Sequence, residues 1–326
     1  MLYRITYWTE LSGKPQLATG LLSIPKNHRA QTSVMWLNGT NPTRSEAPSA
    51  GGLVGLLVGA LFAGSGHLLL APDYIGLGTS DTYHPYMHAV STVDAATDFI
   101  RAVASHCDSE GMEWCPRLML VGYSQGAHAV AVLQRQLEAS PIQEAEVLAS
   151  ASIAPPLDLA NVTLPWALEG HAASHSTYLA YIAHSYSRAY NQALESLLTD
   201  EAATLVRELF DGLHVGDEIM KQLPPTPLPM FRDDWVQGYR AGESSWFRRA
   251  LEENEAFDWA PRAPLRLYYG DADVDVHPND ALLGAEKIRK RGGNVEVVPV
   301  GHFDHASVVY HAVPLVQEWF GRVGKA

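Results

Sequence analysis

The stretch LMLVGYSQGAHAVAVLQRQL, residues 118–137, decides the fold. Its opening LMLVGY carries no charge and reads as a strand buried on both faces. A helix-forming run follows from Gln125 to Ala139. Between them lies Gly122-Tyr123-Ser124-Gln125-Gly126, a G-x-S-x-G. Alone that pattern is common, and a serine in a plain glycine-rich turn would satisfy it. Set between a strand and a helix, it has the context of a nucleophile elbow. The glycines remove side chains that would collide in so sharp a turn. The turn lifts the Ser124 hydroxyl to the C-terminal edge of the strand. The helix start behind it offers N–H groups and a positive dipole end to a developing oxyanion. Serine is a weak nucleophile at neutral pH, so this reading calls for a base and for a group that orients the base.

Similar apolar runs recur outward from the elbow. SVMWLNG (33–39), HLLLAPD (67–73), VLASASIAP (147–155), LRLYYG (265–270) and VEVVPV (295–300) are expected to be strands buried on both faces. YRITYW (3–8) and QLATGLLSI (16–24) read as an opening hairpin, and helices are expected over 91–106, 125–139, 279–291 and 308–321. The alternation predicts an α/β fold whose mostly parallel sheet carries helices on both sides. Residues 156–262 break the rhythm. They are helical in pattern, rich in aromatic residues and punctuated by LPPTPLPMF (223–231). Too long for a connection, they are expected to form a helical cap inserted between two strands, leaving 1–155 and 263–326 as the core. The apolar run GGLVGLLVGALFAGSGHLLLAPD (51–73) invites confusion with a membrane span. Gly64, Ser65, Gly66 and His67 divide it into pieces shorter than the ~20 residues a span needs. It reads as a buried helix, a break and a buried strand.

Acid and base are expected downstream of the serine, acid first. YYGDADVDVHP (268–278) offers Asp271, Asp273 and Asp275, and VPVGHFDHASV (298–308) offers His302 and His305. Both follow expected strands at their C-terminal ends, where α/β sheets place their sites. Spacing does not choose between the histidines. The three aspartates also suggest a calcium loop, but the sixth and twelfth positions counted from Asp271 hold Val276 and Leu282 instead of Gly and Glu. His302 and His305 would share a face only on a helix, and here they follow a strand, so no metal and no cofactor are expected. WLNGTNPTRSEAPS (36–49), after the third strand, places Asn38-Gly39-Thr40 where a second oxyanion donor belongs. The backbone N–H groups of Thr40 and Gln125 are expected to form the hole; a plain glycine turn is the alternative.

Composition narrows the partners. With 47% apolar and 18% charged residues the chain is globular, and its net charge of −13 argues against nucleic acid. No nucleic-acid partner and no integral membrane segment are expected, and the oligomeric state is open. The two cysteines, Cys107 and Cys115, flank a short polar insert and suit either a bridge or two free thiols. The opening MLYRITYWTE lacks the basic and apolar regions of a signal peptide. A cytoplasmic location is expected for the chain as written, a secreted or periplasmic one if a leader has been removed.

Several segments together resemble the α/β-hydrolase esterases of the secretory-lipase-like type: NGTNPTRSEAPS, LLAPDYIGLGTSDTYHPYMHAVSTVDAATDFIRA, VGYSQGAHAV, NEAFDWAPRAPLRLYYGDADVDVHPNDA and VGHFDHASVVYHAVPLVQEWF. The APDYIGLG…HPY block is far more specific than G-x-S-x-G. The resemblance implies an α/β-hydrolase fold and carboxylester hydrolysis without a cofactor, through a Ser–Asp–His triad of Ser124, Asp273 and His305. Where the family has His-Gly-Thr this chain has Asn38-Gly39-Thr40, which keeps the backbone donors and loses an imidazole; Asn38 is expected to bond locally and hold the loop. The expected activity is hydrolysis of short- to medium-chain acyl esters through an acyl-enzyme, the cap aromatics supplying an apolar pocket. A lipase, an acyltransferase or a peptidase would use the same triad. A non-catalytic binding protein of the same fold is the reading from another class, and competent residues at all three positions argue against it.

Overall fold

The computed structural model describes residues 1–26 and 30–325. Its eight strands are β1 (Leu2–Leu11), β2 (Lys14–Ser23), β3 (Ser33–Leu37), β4 (Leu68–Pro72), β5 (Arg117–Tyr123), β6 (Glu146–Ile153), β7 (Leu265–Gly270) and β8 (Val295–Gly301). They form one sheet in the order β1-β2-β4-β3-β5-β6-β7-β8. β2 pairs antiparallel with β1 and β4, and every pairing from β4 to β8 is parallel. Ser12 and Gly13 make the tight hairpin turn between β1 and β2, both at positive φ. β1 alternates between exposed and buried residues, as expected of an end strand with one face on the core, whereas β3 and β4 are buried throughout. In the parallel register Leu37 lies opposite Gly122, Tyr123 opposite Ile153 and Gly270 opposite Gly301, so five strands end at one edge.

Helices α2 (Ala89–Ser109), α3 (Gln125–Ala139) and α10 (Asn279–Lys290) pack on one face of the sheet; α1 (Leu53–Val58) and α11 (His305–Val323) pack on the other. Between β6 and β7 lie α4 (Leu164–Glu169), α5 (Ser174–Ala189), α6 (Asp200–Leu209), α7 (Gly216–Gln222), α8 (Asp233–Arg240) and α9 (Trp246–Glu253). These six enclose an apolar cluster of their own, joined by Tyr86 and Met87 from the connection between β4 and α2.

Two expectations need correction. β8 is not buried on both faces: none of its residues is fully buried. It ends the sheet with β7 as its one neighbour, and the edge tolerates Pro299, which has no N–H to give. Nor is the helix of the apolar run buried. α1 is six residues long and continues into a π-helical turn, Gly59–Ala63. It packs through Gly55, Val58 and Phe62, while Leu53, Leu56 and Leu57 lie largely in the open, Leu53 at 70%. A helix can bury only one stripe, and hydropathy does not say how many neighbours it has. The expected helix over 308–321 starts earlier, at His305, because the Asp304 carboxylate caps it by accepting from Ser307 N at 2.9 Å. Cys107 and Cys115 are free thiols. Among the described residues no helix is long and apolar enough to cross a membrane.

Candidate active site

Ser124 stands between β5 and α3 with φ 56° and ψ −117°, a backbone conformation that costs energy and persists only where its surroundings hold it. Ser124 N donates to Ile153 O on β6 at 2.9 Å, and Ser124 O accepts from Ala127 N at 2.9 Å in the first turn of α3. The flanking glycines let the backbones close. A Cβ on Gly122 would fall 2.2 Å from Gly126 O, and one on Gly126 would fall 1.8 Å from Leu37 O. The chain end of β3 therefore runs directly against the turn, and the segment Asn38-Gly39-Thr40 is carried alongside it.

The ends of β7 and β8 bring Asp273 and His305 to the serine. His305 opens α11 with its Nε2 3.0 Å from Ser124 Oγ and its Nδ1 2.7 Å from Asp273 Oδ2. The carboxylate at Nδ1 holds the proton there, which leaves Nε2 to accept from the serine hydroxyl. The other oxygen of Asp273 accepts from Asp275 N at 3.0 Å and Val276 N at 2.9 Å, so both oxygens are used. Ser124, Asp273 and His305 are 6%, 4% and 6% exposed, so little water screens these bonds. Tyr123 OH donates to His305 O at 2.7 Å and clamps the histidine's backbone from the elbow side.

The neighbouring aspartates point elsewhere. Asp271 faces His302 Nδ1 at 2.7 Å, and that histidine side chain is 86% exposed. Asp275 accepts from Ser174 Oγ and, at 3.4 Å, from Tyr178 OH, both on α5. Among the described residues no three His, Cys, Asp or Glu side chains gather as metal ligands. α4 and α5 also grip this loop through its backbone: Trp166 Nε1 donates to Val274 O at 2.8 Å, and His175 Nε2 lies 3.1 Å from Asp275 O.

The loop after β3 is held by groups that sequence reasoning missed. Tyr74 OH donates to Asn38 O at 3.1 Å, Tyr181 OH donates to Asn41 O at 3.3 Å, and Tyr86 OH pairs with Thr40 Oγ1 at 2.6 Å. Asn38 Oδ1 accepts from Trp36 Nε1 at 3.2 Å, a local bond back to the end of β3. Gln125, the first residue of α3, is buried, and its side chain meets His84. The APDYIGLG…HPY block, quoted above only for its resemblance, supplies Tyr74, His84 and Tyr86. Chemically, a hydroxyl bonded to an imidazole that a carboxylate orients can give up its proton as its oxygen attacks an electrophile.

The sequence profile of the secretory lipase family matches residues 53–322. A proposed hydrolase from Legionella pneumophila superposes with a TM-score of 0.91 at 25% identity, over 99% of this chain and 88% of that one. The rice cell wall degrading esterase LipA from Xanthomonas oryzae gives a TM-score of 0.84 at 26% identity, over 97% and 87% of the two chains. Candida antarctica lipase A in its closed state shares the fold at 14% identity, with a TM-score of 0.75 over 99% of this chain and 77% of that one. No curated protein matches the sequence at a significant level. With most of its length matched by the family's profile, and with this sheet and these neighbours, the chain belongs to the secretory lipase family and is a carboxylic ester hydrolase of the α/β-hydrolase fold.

Proposed function

We propose that the protein hydrolyses short- to medium-chain acyl esters with Ser124 as nucleophile, His305 as general base and acid, and Asp273 as the group that orients the imidazole. The observation that carries this is the continuous relay from Ser124 Oγ to His305 Nε2, 3.0 Å, and from His305 Nδ1 to Asp273 Oδ2, 2.7 Å. Ser124 Oγ attacks the ester carbonyl carbon as its proton passes to His305 Nε2. The Asp273 carboxylate steadies the imidazolium that forms. The oxyanion is received by the backbone N–H groups of Thr40 and Gln125. The tetrahedral species collapses, the alkoxide leaves with the proton from His305, and the acyl group stays on Ser124. Water repeats the sequence and releases the acid. No metal or cofactor is needed for this balance.

Residues 156–262 act in this reading as a cap over the sheet edge. Supporting it are the contacts of Trp166, Ser174 and Tyr178 with the acid loop and of Tyr181 with the loop after β3. The phenol rings of Tyr86 and Tyr181 stack at 4.4 Å, both buried, and back the loop that would hold the oxyanion. An aromatic-rich cap beside the sheet edge suits a modest acyl or alcohol group better than a long chain in an emulsion.

The test is an ester series from p-nitrophenyl acetate to palmitate, run beside Ser124→Ala and a fluorophosphonate label. Wild type should label once per chain and Ser124→Ala not at all, with kcat falling by about 10³-fold or more. A Ser124→Ala protein that cleaves p-nitrophenyl butyrate at the wild-type rate removes the serine mechanism. A rate that climbs through palmitate to emulsified triglycerides removes the chain-length assignment.

A further inference from the structure

The bond between Gln125 and His84 joins the two sides of the oxyanion site, and among the described residues it is the one hydrogen bond of a buried side-chain amide. Gln125 Nε2 lies 2.8 Å from His84 Nε2, and His84 Nδ1 lies 2.8 Å from Ile75 O. The carbonyl can only accept, so Nδ1 carries the proton and Nε2 must accept from the Gln125 amide. Burial pushes the His84 pKa down to about 4, so the ring stays neutral and this polarity is kept. Gln125 Oε1 is buried with no partner among the described residues. His84 is thus the amide's one attachment.

The same ring contacts the tyrosines that hold the loop after β3 on the opposite side of the site. It stacks on Tyr74 at 5.6 Å and meets Tyr86 and Tyr181 edge-on at 6.1 and 5.7 Å. Those three phenols bond Asn38 O, Thr40 Oγ1 and Asn41 O respectively. His84 O accepts from Ser185 Oγ on α5 at 2.8 Å, which ties the ring's backbone to the helical insertion. Gly76 allows this placement: at φ +83° it lets the chain fold back until a Cβ would sit 2.2 Å from His84 N.

We infer that His84 is a positioning residue that sets the geometry of both oxyanion donors, Gln125 through its side chain and Thr40 through the tyrosine contacts, and that makes this geometry depend on the seating of α5. The inference rests on the oxyanion role given to Thr40 and Gln125 above. Such donors must be held to about half an ångström of the productive geometry. Gln125 immediately follows the strained Ser124, so a tethered side chain is what keeps its N–H aimed. Without an acceptor the amide would be buried with no partner and would turn away.

The experiment measures kcat, KM and the affinity of phenylboronic acid, which forms a tetrahedral adduct with an active serine, in His84→Phe, His84→Gln, Gln125→Met and the His84→Phe/Gln125→Met pair. Rates are expressed per active site titrated with fluorophosphonate, so a folding loss does not count. His84→Phe should lose about 10- to 100-fold in kcat with KM little changed, short of the ~10²–10³ that deleting a whole donor costs. Boronate affinity should fall by a similar factor. His84→Gln presents an amide oxygen near the Nε2 position and should recover most of the loss. The double variant should be no worse than His84→Phe. Unchanged kcat per titrated site in His84→Phe overturns the inference, as do losses that multiply independently in the double variant. Either result leaves the serine mechanism standing if Ser124→Ala is dead; an active Ser124→Ala removes that mechanism whatever His84 does.

Discussion

Asp271, Asp273 and Asp275 follow one another at every second position, yet they meet an exposed histidine, the buried His305 and the hydroxyls of α5 respectively. Because the chain turns at this point, equal spacing gives unequal directions. Only Asp273 has two backbone N–H groups and an imidazole on its carboxylate. Asp273→Asn should therefore cost about 10³- to 10⁴-fold in kcat, since an amide at His305 Nδ1 favours the wrong tautomer. Asp275→Asn keeps an acceptor oxygen for Ser174 and Tyr178 and should stay within about tenfold of wild type, since even the full loss of such a hydrogen bond costs only ~1 kcal/mol. Steady-state kinetics on both decide it, and a severe Asp275 variant beside a mild Asp273 variant would exchange their roles. A sequence shows which carboxylates are near the end of β7; the choice among them needs the turn. The same holds for His302 and His305, which the resemblance separates and spacing does not.

At the level of elements, the elbow was readable because it is local. Strand, glycine, serine, glycine and helix lie within one continuous run, and the apolar pattern changes period there. The closeness it produces can be tested at two glycines. Gly126→Ala would force a Cβ to 1.8 Å from Leu37 O, backbone against backbone, with no side chain able to yield. It should cost at least about 1–3 kcal/mol, seen as a lowered Tm, and should displace the loop after β3. Gly321 lies in α11 with nothing within 4 Å of its would-be Cβ. Gly321→Ala should be neutral or stabilise by up to about 1 kcal/mol through helix propensity. Thermal melts of the two variants that moved together would deny the packing argument. β8 and α1 were misjudged for one shared reason. Their composition resembles that of buried elements, but burial depends on neighbours, and an edge strand and a six-residue helix have few.

On the scale of the molecule, α10 is fastened to the chain where it leaves β6. Asp280, on α10, accepts from Leu157 N at 3.0 Å, Asp158 N at 2.9 Å and Thr163 Oγ1 at 2.9 Å. Lys287, also on α10, pairs with Asp158 beside it. Burial dominates at Asp280 and pushes its pKa up to about 7 against an ordinary 3.8, outweighing the donors that favour its charged form. Between these values the folded protein binds more protons than the unfolded chain. The contribution of Asp280 to stability is full below pH 3.8 and is lost as pH rises through about 7. Asp280→Asn keeps the shape without the ionisation. Its Tm relative to wild type should rise as pH goes from about 4 to 7, and a difference that stays constant over that window would show that Asp280 does not titrate there.

The class of fold, the strand-to-helix turn and the candidate serine were legible in the linear chain, because each rests on periodicity or on residues a few places apart. The resemblance added Asp273 and His305 to them. Which strands neighbour one another, that β8 lies at an edge, and that His84, Tyr74, Tyr86 and Tyr181 surround the loop after β3 came only with the three-dimensional structure. His84 and Gln125 are 41 residues apart, and Ser124 and His305 are 181 apart. No local pattern records such pairings. They arise from the register of parallel strands, which brings five strand ends to one edge and presents residues from distant parts of the chain to a single hydroxyl.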